Sequence, residues 1–216
     1  MLADGVLEDP VPDAAFGLHL WSRLPLNQVV VQPGPLWATA GSFTLRVQGK
    51  GGHGAEPHET VDATLIAAQI VVSWQSIVAR NVRPTDPAVI SVGQFNSGTA
   101  LNIISEAAEL AGTYRAFSDD VEALITTRMG EMAEQIAAAY GASVEFEHWR
   151  GTSATVNDAK QAAFMQDVAT EIVGPEQVVQ IDPMMVGADM AEILRRVPGC
   201  FVLVGASDPA GPMHAP

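Results

Sequence analysis

Apolar and polar residues alternate along Phe43-Thr44-Leu45-Arg46-Val47-Gln48-Gly49, the period-two signature of a half-buried strand, and Gly49 through Gly54 then supply loop chemistry. From Thr60 to Ala79 the chain is apolar almost all round. With Thr60 as a cap and Asp62 as a first-turn acid, this predicts a helix that packs on a sheet or on a partner subunit. Residues 88–95 and 107–117 are rich in β-formers and predict two neighbouring antiparallel strands, whose connection begins at Asn96-Ser97-Gly98. Ser118-Asp119-Asp120 offers a cap for a helix over 119–140, closed by Gly141 at the C′ position. Alternation returns over 143–149 as a last strand.

In order these elements read strand, helix, strand, strand, helix, strand, the split βαβ (ferredoxin-like) arrangement of a four-stranded antiparallel sheet covered by two helices. The flanks differ. Stretches 15–31 and 176–205 hold short, fully apolar runs, Val29-Val30-Val31 and Phe201-Val202-Leu203-Val204, as strands buried on both faces do. The expected class is therefore α/β: segments 1–38 and 151–216 belong together in an α/β layer, and 39–150 is inserted between them.

Composition agrees with a packed core, at 48% hydrophobic and 17% charged residues. Eleven basic against 25 acidic residues give a formal charge of −14, which repels phosphate backbones and anionic lipid; neither nucleic acid nor a membrane is expected as a partner. The single cysteine, Cys200, begins an apolar run and reads as a core residue. The acidic start, with Asp4, Glu8 and Asp9, lacks the basic-then-apolar order of an export signal, and the most apolar stretch, Ala63 to Val72, is too short to span a bilayer. A soluble, cytoplasmic protein is the expectation.

Three of five histidines occupy settings that core packing does not ask for. His19, in Gly17-Leu18-His19-Leu20, is expected at the end of a strand, where open α/β sheets bind ligands; a satisfied boundary histidine is the alternative. His214, two residues from the last, is either a second donor to the same site or a tail residue. His53 is framed by Gly51, Gly52 and Gly54, which remove side chains and allow positive φ, so it reads as a projecting transition-state donor or as an incidental residue of a glycine-rich hairpin. Asn102, within Leu101-Asn102-Ile103-Ile104, is expected to be hydrogen-bonded in an apolar environment, with turn chemistry as the alternative. Arg115, on a strand, can grip a carboxylate bidentately or make a surface ion pair. His58 fits a loop or cap role, His148 a solvated edge strand, Glu106 and Glu109 a strand's wet face, and the acids of helix 119–140 a solvated helix face.

Together with Asp4-Gly5-Val6-Leu7, Gly49-Lys50-Gly51-Gly52-His53-Gly54-Ala55-Glu56-Pro57-His58, Gly98-Thr99-Ala100-Leu101-Asn102-Ile103-Ile104, Gly112-Thr113-Tyr114-Arg115-Ala116-Phe117 and Met213-His214-Ala215-Pro216, these residues resemble the M20 metallopeptidases, in their amidohydrolase branch of hippurate and N-acyl-amino-acid hydrolases. The resemblance implies a catalytic domain with two divalent metals (zinc, manganese or cobalt) interrupted by a lid that forms a homodimer. It implies that His19 and His214 are metal ligands, that His53 stabilises the oxyanion across the dimer, that Asn102 assists catalysis and binds substrate, and that Arg115 takes the carboxylate of an N-acyl amino acid. The family's other metal ligands and its general-base glutamate would lie upstream of residue 1, and Ala188 stands where the family usually has glutamate. The isolated chain is accordingly expected to be inactive. The alternative is a non-catalytic dimerisation or small-acid-binding module of ferredoxin-like fold.

Overall fold

The computed structural model describes residues 2–206. In chain order the elements are β1 (Ala15–Trp21), β2 (Val29–Val30), β3 (Gly34–Trp37), β4 (Ala40–Gln48), β5 (Gly52–His53), α1 (Ala63–Arg80), β6 (Ala88–Ser97), β7 (Ile103–Ile104), β8 (Ala107–Ala116), α2 (Asp119–Ala139), β9 (Ser143–Thr152), β10 (Thr155–Asn157), α3 (Ala159–Val173), β11 (Val178–Val179), α4 (Met190–Leu194) and β12 (Gly199–Gly205). Thr39–Gly151 forms one compact unit, and the described residues on either side of it form another.

In the 39–151 unit the sheet order is β6-β8-β4-β9, with β8 antiparallel to both β4 and β6. Phe43, Leu45 and Val47 of β4 are buried with Leu110 and Tyr114 of β8, while Thr44, Arg46 and Gln48 take the other face. Period two thus makes one face polar and leaves the other for the helices. From α1, Ile66, Ile70, Trp74 and Ile77 enter this core, joined from α2 by Ile125, Met129, Ala133 and Ala137. Trp74 Nε1 donates to the Met129 carbonyl at 3.0 Å and ties the helices together. By length and composition α1 could cross a bilayer, with a mean hydropathy of 1.2, yet here its six buried residues make it a core helix.

Several local expectations are corrected. Thr60 does not cap α1; its hydroxyl donates to Pro57 O at 2.8 Å and closes the 3-10 turn Pro57–Glu59 that holds His58. Asp62 caps instead, accepting from the Thr64 and Leu65 amides at 2.9 and 3.1 Å, because a carboxylate at that position reaches two of the orphan N–H groups of the first turn. Ser118 caps α2 and Gly141 follows with φ +77°. The register of β6 shifts between Val92 and Gln94, a bulge at Gly93 that moves the later residues to the opposite face.

The flanking unit holds a mixed sheet of order β1-β12-β2-β11, with β1 parallel to β12, β12 antiparallel to β2 and β2 parallel to β11; β3 and β10 pair separately. Alternate residues of β12 feed two cores. Cys200 and Val202 join Val29, Val31 and α3, whereas Phe201 and Leu203 join Trp21, Val30, Leu36 and Trp37. Burial on both faces therefore holds for Val29–Val31 and for most of β12 but fails for β1, whose Leu18 and Leu20 are each 70% exposed. The reason is position: β1 is an edge strand, and on that side only Phe16 finds a ring, Phe164 of α3, at 6.0 Å.

Candidate functional site

His53 is carried on a tip that the sequence does not advertise as paired. Gly52 and His53 of β5 pair antiparallel with Ile104 and Ile103 of β7, and Gly54 N donates to Asn102 O at 2.9 Å. None of Gly51, Gly52 or Gly54 adopts the positive φ that the sequence reading invoked. Their role is close approach: a Cβ on Gly51 would meet Ile104 O at 2.9 Å, and one on Gly54 would meet Asn102 O at 3.0 Å. The glycines thus let two connections from different parts of the chain lie backbone to backbone, a pairing that excludes the simple local hairpin. The Ala55 amide donates to His53 Nδ1 at 3.1 Å. A neutral imidazole accepting there carries its proton on Nε2, so this exposed ring offers an N–H to a ligand.

Asn102 is exposed, not enclosed by apolar groups as expected. The turn around it turns outward, leaving Leu101 103% exposed, and only its carbonyl is used for pairing with Gly54. His53 and Asn102 are therefore brought together by backbone hydrogen bonds.

Arg115 lies elsewhere in the same unit. Its Nη1 donates to Tyr114 O at 2.8 Å and Gly41 O at 3.2 Å, and among the described residues no carboxylate pairs with it. Two carbonyls hold one nitrogen and leave the rest of the guanidinium fork for an anion. Register fixes the spacing: Gln48, which leads into the His53 loop, stands opposite Ala107, and Arg115 is near the far end of β8. Extended strand between Ala107 and Arg115 covers about 27 Å.

In the flanking unit His19 lies two residues inside the end of β1, half-buried. Its Nδ1 donates to Leu20 O at 2.6 Å, which leaves a lone pair on Nε2. Three rings meet the imidazole edge-on, Trp37 at 5.2 Å, Trp21 at 5.9 Å and Phe201 at 6.1 Å. The sequence alone does not reveal this aromatic collar, because its rings come from β1, β3 and β12, segments far apart along the chain. Trp37 Nε1 is buried without a partner. Ala188 packs against the same cluster and supplies no oxygen donor, and Glu192 is occupied in accepting the Ser153 amide at 2.8 Å. His214 lies outside the described residues. Among the described residues no three His, Cys, Asp or Glu side chains gather as a metal site.

Two further histidines and two acids show how burial sorts the remaining titratable side chains. His58 is exposed in its 3-10 turn. His148 is exposed on the edge strand β9, yet it is not merely solvated: it stacks on Phe146 at 5.7 Å and meets Tyr114 at 6.2 Å. Glu109 keeps the exposed face expected of it and pairs with Arg46, but Glu122 departs from the solvated face of α2. It is only 5% exposed, accepts from Tyr114 Oη at 3.2 Å and Arg150 Nε at 2.9 Å, and its second oxygen lies against the Arg150 guanidinium. Burial, then the Glu122 charge, push the Tyr114 hydroxyl up to about 12, and the hydrogen bond to Glu122 raises Arg150.

The whole span 1–216 matches the model of peptidase family M20/M25/M40, and the chain belongs to that family. It is 40% identical over 207 residues to a Bacillus subtilis protein named as an amidohydrolase, YhaA, covering 96% of this chain and 52% of that protein. It is 36% identical over 215 residues to the N-acetyldiaminopimelate deacetylase of Streptococcus pneumoniae serotype 19F, covering 99% and 57%. The chain thus spans little more than half the length of these relatives. Among solved structures, the Bacillus subtilis YXEP protein, described as a dinuclear metal binding peptidase of the M20 family, superposes with a TM-score of 0.79 at 29% identity over 94% of this chain and 50% of that one. An aminohydrolase from methicillin resistant Staphylococcus aureus gives 0.88 at 26% identity, over 99% and 54%. Both curated relatives carry hydrolase names, an amidohydrolase and a deacetylase.

Proposed function

We propose that this chain takes part in metal-dependent hydrolysis of the amide bond of N-acyl amino acids or similar conjugates, within an enzyme of its relatives' length. The observation that carries the reading is the outward Nε2–H of His53, fixed by the Ala55 amide on a tip shared with Asn102. A donor so placed stabilises negative charge on the acyl oxygen as the amide carbon becomes tetrahedral. Arg115 holds the substrate carboxylate through its unused N–H groups. Bound divalent metals, two per site as zinc, manganese or cobalt, would supply an activated water; His19 Nε2 and His214 are this chain's candidate donors to them.

The spacing along β8 supports a homodimer through the 39–151 unit, which would act as the lid. His53 with Asn102 and Arg115 belong to opposite ends of that strand, too far apart to touch one small substrate from the same copy. The tip therefore serves the partner's substrate while Arg115 serves its own. In the enzyme of the relatives' length, His53→Ala lowers kcat by about a hundredfold or more with the circular dichroism spectrum unchanged; unaltered turnover removes His53 from the mechanism.

The lack of a three-donor cluster among the described residues favours a second reading for the isolated chain, a non-catalytic dimerisation or small-acid-binding module. Elemental analysis with a sedimentation measurement separates the two: stoichiometric metal together with hydrolysis supports the enzyme, and a metal-free, inactive dimer supports the module.

A further inference from the structure

We infer that Leu101 and Ile103 form an aliphatic wall that reads the acyl chain of the substrate, so that the site prefers acyl groups longer than acetyl; this rests on the amidohydrolase reading above. Ile103 stands directly opposite His53 in the β5–β7 register. Antiparallel partners project from the same face with Cβ atoms about 5 Å apart, so the Ile103 side chain, 56% exposed, flanks the imidazole. Leu101 follows on the same turn beside Asn102 and is wholly exposed. The backbone under both is pinned, by Gly54 N to Asn102 O at 2.9 Å, by Ile103 N to Ala100 O at 3.4 Å and by the β5–β7 pairing itself. Two apolar side chains are thus held toward solvent beside a hydrogen-bond donor.

The chemistry at that donor selects which part of a substrate meets them. An oxyanion about 3 Å from Nε2 sits on a carbon that carries the acyl chain on one side and the amide nitrogen on the other. The amino-acid side bears a carboxylate, which needs a cation, and Leu101 and Ile103 offer none. The uncharged acyl chain is the portion whose burial against them is favourable. An acetyl group presents a single methyl and gains little, whereas a hexanoyl or benzoyl group can cover both residues.

The test compares N-acetyl and N-hexanoyl forms of one amino acid in the enzyme of the relatives' length, as wild type, Leu101→Ser, Ile103→Ser and His53→Ala. Removing an apolar contact of this size changes discrimination by about 10–100-fold. Each serine variant is therefore expected to lower the hexanoyl-to-acetyl ratio of kcat/KM at least tenfold, with Leu101→Ala and Ile103→Val giving smaller shifts in the same direction while the β5–β7 pairing stays intact. A ratio unchanged in all four, whether both substrates fall together or neither falls, overturns the acyl wall. Full turnover by His53→Ala sinks the parent reading instead, and a wild type that cleaves neither substrate overturns both.

Discussion

The two units solve one problem, anchoring polar groups inside a core, by different chemistry. In the 39–151 unit a charged cluster joins three elements: Glu122 of α2 accepts from Tyr114 of β8 and Arg150 of β9, and Arg150 also pairs with Asp119 at 3.1 Å. In the flanking unit the anchor is neutral. Asn157, 3% exposed, accepts from Phe201 N at 2.7 Å and donates to Phe201 O at 3.0 Å and Gln32 O at 2.9 Å. The amide satisfies backbone groups one by one, whereas removing one member of the ionic cluster strands a charge. The candidate histidines differ in the same sense: His53 projects from a backbone-paired tip, and His19 is set among rings that Asn157 helps to position through Phe201.

Removing the ionic anchor is the most damaging change. Arg150→Ala leaves the buried Glu122 carboxylate without its cation, and such a change costs about 3–5 kcal/mol. Chemical denaturation of the variant should show that loss. A cost below about 1 kcal/mol would mean that Glu122 takes up water or a proton instead, and that the two anchors differ in name only.

Asn157→Ala comes next. It leaves the Phe201 N–H and the Phe201 and Gln32 carbonyls without their side-chain partner, at about 1–3 kcal/mol for each group that stays unsatisfied; partial recovery by water brings the total to about 3 kcal/mol. Hydrogen exchange sharpens the comparison, because protection should fall along β12 and not along β8. Equal loss in both strands would show that the units unfold as one.

The sequence made the regular parts legible because period two and helix caps are local signals. Strand β4, helix α2 and its Gly141 stop follow from spacing alone, and the motifs around His53 and Arg115 were readable for the same reason. What stayed hidden was set by pairing between distant segments. Glu122 is one acid among several at the start of α2 and becomes a core residue only because Arg150 returns on β9. Asn102 resembles a buried amide among aliphatic neighbours, yet the turn leaves them in solvent. The collar around His19 and the contact of Gly54 with Asn102 are likewise tertiary facts.

The smallest expected effect lies at high pH, and it reports on both units at once because each buries a group whose ordinary pKa is 9.0 or 10.0. Burial pushes the Cys200 thiol from 9.0 up to about 12 in the flanking unit, and Tyr114 moves from 10.0 to about 12 in the other. Both shifts are upward, so between the unfolded and folded values the unfolded chain has lost protons that the folded chain keeps. Stability is then complete below about pH 9 and declines as pH rises toward 12. At pH 10 the thiol contributes most of the loss, and the sum is about 1–2 kcal/mol. Denaturant melts at pH 8 and pH 10 on the wild type, Cys200→Ala and Tyr114→Phe measure it. Cys200→Ala should remove most of the decline at pH 10, and Tyr114→Phe should matter mainly above that. A decline of equal size in Cys200→Ala would place its origin in groups other than this buried thiol.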